Sequence, residues 1–147
     1  MFQFAEDDYK KIEAVLEGRF IREEHSRRIV LDNPEEKRRL SMEIFSGIPI
    51  GRDKGNLISV YTESAHLQLH FCTGYVASDV LGEVTFVAEG KGRLCGLIIE
   101  KGAACSLYAN VDTKLLSGDF TRLGPEVMLS GIALSLAENV LPERLFK

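Results

Sequence analysis

The stretch that decides the fold is GEVTFVAEGKGRLCGLIIEKGAACSLYANV, at residues 82–111. Two glycine-containing breaks, at 89–92 and 100–103, divide it into three runs that are rich in apolar residues. Short apolar runs separated by such breaks are typical of consecutive β-hairpins. The stretch therefore predicts three neighbouring antiparallel strands within one β-sheet.

Loop length predicts the register of both hairpins. A two-residue loop in the first hairpin, at 90–91, places Phe86 opposite Cys95. A three-residue loop in the second hairpin places Ile99 opposite Cys105. In both registers one face collects the apolar residues Val84, Phe86, Cys95, Leu97, Ile99, Cys105, Leu107 and Ala109. We expect this face to point into the core.

The middle strand of the three also carries Leu94 and Ile98 on its other face. A strand that is apolar on both faces is expected to be central and covered on both sides. Cys95 and Cys105 share a face but lie about two residue pairs apart, at ~3.3 Å per residue, which is too far for a disulfide. With Cys72 they make an odd number of cysteines and no CxxC pair, so we expect reduced thiols.

An earlier segment predicts two more strands, 56–63 and 66–73, joined by a tight turn at 64–65. In this register one face is apolar, with Val60 opposite Leu69. The other face is polar and carries Ser59, Tyr61, Glu63, His66, Gln68 and His70. A slip of one residue would mix the two sets, so the alternation supports this assignment of faces. The polar set is a candidate ligand-binding or interface face.

The polar face does not predict catalysis or metal binding. His66 and His70 stand four residues apart on a strand, a separation of ~13 Å, whereas zinc bonds its ligands at ~2.0–2.3 Å. A nucleophile–base pair of Cys72 and His70 would need the thiol beside the imidazole and a third group to orient it. The sequence also lacks the glycine motifs that bind phosphate groups. We therefore assign no catalytic, metal-binding or cofactor-binding residues.

The segment before the polar face is ambiguous. Residues 39–46 alternate as a strand does and 27–32 are strand-like, which favours a hairpin whose connection contains one helical turn. Asn33-Pro34 followed by glutamates is also a typical helix start, so a helix is the alternative. We expect residues 47–55 to form a long, turn-rich loop. We expect residues 74–81 to form a connection, with a short helix as one option.

A helix is predicted near each end of the chain. Residues 6–17 repeat apolar residues at helical spacing, with Asp7 or Asp8 as a cap and Gly18 as a stop. Residues 125–141 predict a longer helix that begins at a proline and is apolar around more than half of its circumference. Such a helix needs burial on two sides. One side can be the sheet, and the other can be the first helix or another subunit.

Together these elements predict one α+β domain over residues 1–147. About six or seven strands form an antiparallel meander, with strong curvature or a barrel as options, and the N-terminal and C-terminal helices pack on it. A chain of 147 residues suits a single domain with a substantial core.

Composition limits the possible partners. The net charge is −4, and the most basic segment, 19–39, holds seven basic and five acidic residues. Nucleic-acid binding needs a concentrated basic footprint, so this mixed cluster argues against it. The start of the sequence lacks the basic and apolar regions of a signal peptide, and no run is long and apolar enough to span a membrane. We therefore expect a cytoplasmic location.

Three functions remain open. The first is a non-enzymatic protein–protein interaction module of the adaptor or chaperone-like kind, forming a homodimer, which suits the apolar C-terminal helix. The second is a carrier of a small hydrophobic ligand, held in a cavity between a curved sheet and that helix. The third is an enzyme that uses His70 or Cys72. We favour the first, because the sequence contains no catalytic motif.

Overall fold

The computed structural model describes residues 2–63, 65–90, 93–109 and 116–118. Its elements, in chain order, are α1 (Glu6–Leu16), β1 (Ile21–Arg22), β2 (Arg27–Asn33), β3 (Arg38–Ile50), β4 (Asp53–Thr62), β5 (His66–Leu69), β6 (Gly74–Ser78), β7 (Glu83–Gly90), β8 (Arg93–Glu100), β9 (Cys105–Ala109) and β10 (Leu116–Gly118). The predicted C-terminal helix over 125–141 lies outside the described residues.

The strands form two antiparallel sheets. The first sheet has the order β1-β2-β3-β4-β5-β10, and the second has the order β6-β7-β8-β9. The predicted antiparallel β-structure and N-terminal helix are confirmed. The strands do not form the single curved or barrel-like meander that we expected, because the chain leaves the first sheet after β5. The predicted connection over 74–81 instead contains β6, which starts the second sheet.

A short crossing segment after β5 carries the chain from one sheet to the other. Phe71 has a φ of 57°, a left-handed conformation that an extended strand does not allow. The amide of Cys72 donates to the carbonyl of Asn56 in the first sheet, and the amide of Thr73 donates to the carbonyl of Val87 in the second. The strand that we predicted to run through this segment is therefore too long.

One hydrophobic core joins the two sheets and α1. It contains the inward-facing apolar residues of β2–β5 and of β7–β9. The buried residues of α1 are those that the helical spacing predicts, namely Tyr9, Ile12, Val15 and Leu16. Leu94 and Ile98 on the second face of β8 are also buried, which confirms that β8 is a covered central strand.

The ends of α1 differ in detail from the prediction. The N-cap residue is Ala5, whose amide donates to the Asp8 carboxylate at 2.7 Å. At the other end Glu17, one residue before Gly18, adopts the left-handed conformation that terminates the helix. Gly18 instead lies close to β2, and a Cβ there would lie 2.9 Å from Ile29 Cδ1, so that the Ile29 side chain would have to shift.

The β2–β3 hairpin is confirmed, and the helical alternative is wrong. Its connecting turn is closed by the Lys37 amide, which donates to the Pro34 carbonyl at 3.2 Å. The predicted loop over 47–55 is also wrong, because β3 and β4 continue to a tight turn after Ile50. Gly47, one of the glycines that suggested a loop, lies instead in a β-bulge of β3 and has a φ of 65°.

Two hairpins have a register shifted by two residues from the prediction. In β7–β8, Phe86 faces Leu97 and not Cys95. In β4–β5, Val60 faces Leu67. A shift of two keeps every side chain on its face, so the alternation does not distinguish the two registers. The β8–β9 register is confirmed, with Leu97 opposite Leu107.

The three cysteines are thiols. Cys95 lies opposite Ala109 and Cys105 lies opposite Ile99, so the two cysteines do not face each other, as predicted. Cys72 and Cys95 are buried, whereas Cys105, which was predicted to share the core-facing side with Cys95, is only half-buried.

Candidate functional site

One face of the first sheet points away from the core. Directly paired residues on neighbouring strands share a face, so the register places several rows of side chains there, of which two are central. The first row is Ile21, Arg28, Glu43, Ser59 and Gln68, and the second row is Val30, Ser41, Tyr61 and His66. We call these nine residues the outer face.

The structure brings most of the predicted polar set together on the outer face. The members that lie there are Ser59, Tyr61, His66 and Gln68. Glu63 lies in the β4–β5 turn and is exposed, and Tyr61 lies opposite His66. His70 follows the end of β5, and its Nε2 lies 3.3 Å from Gln68 Oε1. Four of the six predicted residues therefore share the outer face, and Glu63 and His70 lie beyond the paired strands.

A stacked pair of rings occupies the β4–β5 side of the outer face. The centroids of the Tyr61 and His66 rings are 4.2 Å apart, and the rings are nearly parallel, at 8°. His66 Nε2 also lies 3.0 Å from the hydroxyl oxygen of Ser59. The hydrogen bond and the stack restrict both rings, so the exposed tyrosine is presented in one orientation.

A charged network continues the outer face towards β2. Glu43 is buried, and its carboxylate accepts hydrogen bonds from Arg28 Nη2 at 2.7 Å and from Ser26 Oγ at 3.0 Å. Arg28 Nε lies 3.2 Å from a Glu23 carboxylate oxygen. The hydrogen bond to Glu43 raises the pKa of the Arg28 guanidinium above its usual value. A buried carboxylate needs such partners, and here they order the polar surface.

The Ser59–His66 contact has the distance of a nucleophile–base pair. Two features argue against catalysis. Ser59 is only 1% exposed, so a substrate has little access to its hydroxyl. Glu43, the acid in the same row, bonds to Arg28 and Ser26 and not to the imidazole. We therefore interpret the contact as structural.

Cys72, the nucleophile of the enzyme hypothesis, is held inside the fold. It is buried, and its Sγ donates to the Gly74 carbonyl at 3.3 Å. Burial raises the pKa of the thiol to about 12, so the reactive thiolate is scarce at neutral pH. In the described part of the chain, no group of three or more His, Cys, Asp or Glu side chains is arranged to hold a metal ion.

An open cleft of about 330 Å³ lies beside α1 and the β1–β2 turn. Its lining includes Tyr9, Arg22 and Arg27. The Arg27 guanidinium lies 4.0 Å from the centroid of the Tyr9 ring, and both arginines bond to Glu6. This polar, internally paired lining does not suit a small hydrophobic ligand. The cavity expected against the C-terminal helix falls outside the described residues.

Sequence reasoning missed the half of the outer face that β1, β2 and β3 supply. Because we predicted a loop between β3 and β4, we did not expect the strand pairing that brings Arg28 and Glu43 next to β4. A signal was present, because the alternation of Leu40, Met42 and Ile44 leaves Glu43 on the opposite face.

Comparison of the chain with protein-family models, with curated proteins and with solved structures returns no significant match. The function is therefore inferred from the residues of the chain and their geometry. Among the described residues, no helix has both the length and the apolar character needed to cross a membrane.

Proposed function

We propose that this protein is a non-enzymatic protein-interaction module, of the adaptor or chaperone-like kind, that forms a homodimer through the outer face. The observation that carries the proposal is a clustering of exposed apolar side chains. Ile21, Val30 and Tyr61 are 62%, 39% and 43% exposed, and all three belong to the outer face. Apolar residues grouped on a surface and bordered by polar ones are typical of interaction sites.

The polar residues of the outer face support an interface in a second way. Tyrosine and arginine are the residue types that contribute strongly to protein–protein interfaces. Tyr61 is held by its stack on His66, and Arg28 is held by Glu43. Because these side chains are ordered already, association loses less side-chain entropy.

Charge favours a second copy of the chain as the occupant of the outer face. The net charge of −4 opposes self-association over much of the surface. The charged residues of the outer face itself are Arg28 and Glu43, one positive and one negative, and they form an ion pair at 2.7 Å. A locally neutral patch with both signs does not repel its own copy, and two-fold dimers are the commonest assemblies of soluble proteins.

The proposal extends to location and domain organisation. Three thiols are compatible with a reducing compartment, which supports a cytoplasmic location. A single core that joins both sheets supports one domain.

Size-exclusion chromatography with light scattering tests the dimer. The matched variants are Val30→Lys on the outer face and Val80→Lys at an exposed turn of the second sheet. We expect the wild type and Val80→Lys to be dimeric at high micromolar concentration and Val30→Lys to be monomeric, with unchanged circular dichroism spectra. A monomeric wild type, or a Val30→Lys variant that dimerises as well as the wild type, overturns the proposal.

Native mass spectrometry of the same samples separates the module from the ligand carrier. We expect the mass of two chains with no additional bound compound. A small hydrophobic molecule that co-purifies in stoichiometric amount would favour the carrier instead.

A further inference from the structure

A turn of the second sheet exposes two neighbouring apolar residues to solvent. Val80 and Leu81, between β6 and β7, are 95% and 66% exposed. We call residues 78–82 the apolar turn. Two adjacent apolar side chains that protrude from one turn can serve as anchors in a contact with another molecule.

Hydrogen bonds fix the backbone of the apolar turn. The Gly82 amide donates to the Ser78 carbonyl at 2.9 Å, and the Leu81 amide donates to Ser78 Oγ at 3.2 Å. The Gly82 carbonyl accepts from the Lys101 amide at 2.9 Å, which ties the apolar turn to the β8–β9 turn. Gly82 has a φ of 65°, which favours glycine. The apolar pair is therefore presented by a fixed backbone.

Negative charge flanks the apolar turn. Glu83 lies directly opposite Glu100 in the register of β7 and β8, and like charges in this arrangement destabilise a sheet. Burial and the Glu100 charge together raise the pKa of Glu83. Asp79 is exposed, and the ammonium of Lys101 lies 3.9 Å from the Glu17 carboxylate of the region that follows α1. A positive charge supplied from outside would relieve the repulsion between the opposed carboxylates.

We infer that the apolar turn is the docking site for a partner protein whose apolar pocket is bordered by lysine or arginine side chains. Val80 and Leu81 enter the pocket, and basic side chains of the partner lie against Glu83 and Glu100. This inference goes beyond the outer-face dimer, because it concerns a different sheet and a different partner.

Two other occupants fit the charges less well. Two copies joined turn to turn would bring their carboxylates together, and a head-to-tail contact between copies generates rings or open chains instead of a simple pair. Anionic lipid headgroups would be repelled by the same carboxylates. A pocket with a basic border complements both the apolar pair and the flanking charge.

Photocrosslinking in the native cell, with the whole chain, tests the inference. A benzophenone amino acid is placed at Val80, and the matched control carries it at Glu24, an exposed residue of the β1–β2 turn. A protein crosslinked from the first position and not from the second is identified by mass spectrometry and purified. We expect its contact surface to be an apolar pocket with basic residues at the edge.

The purified partner is then titrated with variants of the chain. We expect Val80→Asp and Leu81→Ser to weaken binding at least about tenfold, as the loss of an interface anchor does. Glu100→Gln should weaken binding and reduce its dependence on salt. Val30→Lys lies on the outer face and should leave the affinity of each protomer for the partner unchanged. The titration therefore tests the apolar turn even if the protein does not form the proposed dimer.

Three outcomes overturn the inference. The first is that position 80 crosslinks no protein beyond those obtained from the Glu24 control. The second is that it crosslinks only lipid or a second copy of this chain. The third is that the purified partner binds Val80→Asp as tightly as it binds the wild type.

Discussion

Asn56→Ala should lower the free energy of unfolding by more than the loss of one hydrogen bond would. Asn56 is buried in β4, and its Nδ2 donates to the Phe2 carbonyl at 2.7 Å and to the Cys72 carbonyl at 3.2 Å. Its Oδ1 accepts from the Gly47 amide and from the Ser46 hydroxyl, both at 3.1 Å. One side chain therefore connects the N-terminal segment, the β3 bulge and the crossing between the sheets.

Three of these four hydrogen bonds should count towards the free energy of unfolding. Ser46 is exposed, so water can replace its bond to Asn56, whereas Phe2, Gly47 and Cys72 are half-buried or buried. Each lost hydrogen bond that leaves a buried group unsatisfied costs about 1 kcal/mol or more. We expect Asn56→Ala to lower the free energy of unfolding by about 3 kcal/mol. A typical domain has about 5–15 kcal/mol in total, so the variant should still fold.

Urea denaturation followed by circular dichroism measures this loss. The control is Asn33→Ala. Asn33 is half-buried and donates to the Gly102 carbonyl at 3.1 Å, and it accepts from the exposed Glu36 amide at 3.3 Å, a bond that water can replace, so we expect a loss of about 1 kcal/mol. Asn56→Asp should be less stable than Asn56→Ala at neutral pH, because it sets a carboxylate oxygen against two carbonyls. A loss in Asn56→Ala no larger than in Asn33→Ala, at an equal denaturant slope, would refute the reasoning.

Three further predictions concern other positions. Since burial raises the pKa of Cys72 to about 12, a thiol reagent mapped by mass spectrometry should label it only after unfolding, and rapid labelling in native buffer would contradict this. Gly55→Ala, whose Cβ would lie 2.6 Å from Phe71 Cδ1, should lose about 1–3 kcal/mol. Gly74→Ala, with open space around it, should change the melting temperature little, and equal losses in the two variants would contradict the structure. Because burial and a neighbouring carboxylate raise the pKa of Glu83, the folded state holds its proton more tightly than the unfolded state. The stability that Glu83 contributes is therefore present in acid and lost as the pH rises through the folded pKa. Glu83→Gln should raise the melting temperature at neutral pH and lose that advantage in acid, and a gain that persists in acid would contradict the assignment.

The sequence pattern identified faces well and registers poorly. Phe86, Leu97 and Leu107 are buried on one side of the second sheet, as the alternation predicts. Alternation with a period of two residues indicates which side of a strand faces the core. A register shift of two residues leaves every side chain on the same side of the sheet, so the alternation does not distinguish the two registers. Only the turn chemistry decides between such registers, and in β4–β5 the turn is closed by Thr62, whose amide donates to the Ala65 carbonyl at 2.8 Å.

The candidate site was predictable only where it is local. Ser59, Tyr61 and His66 belong to one hairpin, so alternation within that hairpin assigns them to one face. Ile21 and Val30 also belong to local pairings, but they join this surface only because β3 pairs with β4, and the loop predicted over 47–55 left that pairing out. The exposure of the apolar turn was also not predictable, since an apolar residue in a connection gives no sign of whether it is covered.

The central claim is that the outer face joins two copies of the chain, and sedimentation equilibrium tests it most directly, because it reports mass independently of shape. We predict that the wild type has twice the mass of one chain and that Tyr61→Lys has the mass of one chain at the same concentration. A wild type that stays at the mass of one chain throughout, or a Tyr61→Lys variant that keeps the double mass, would contradict the claim.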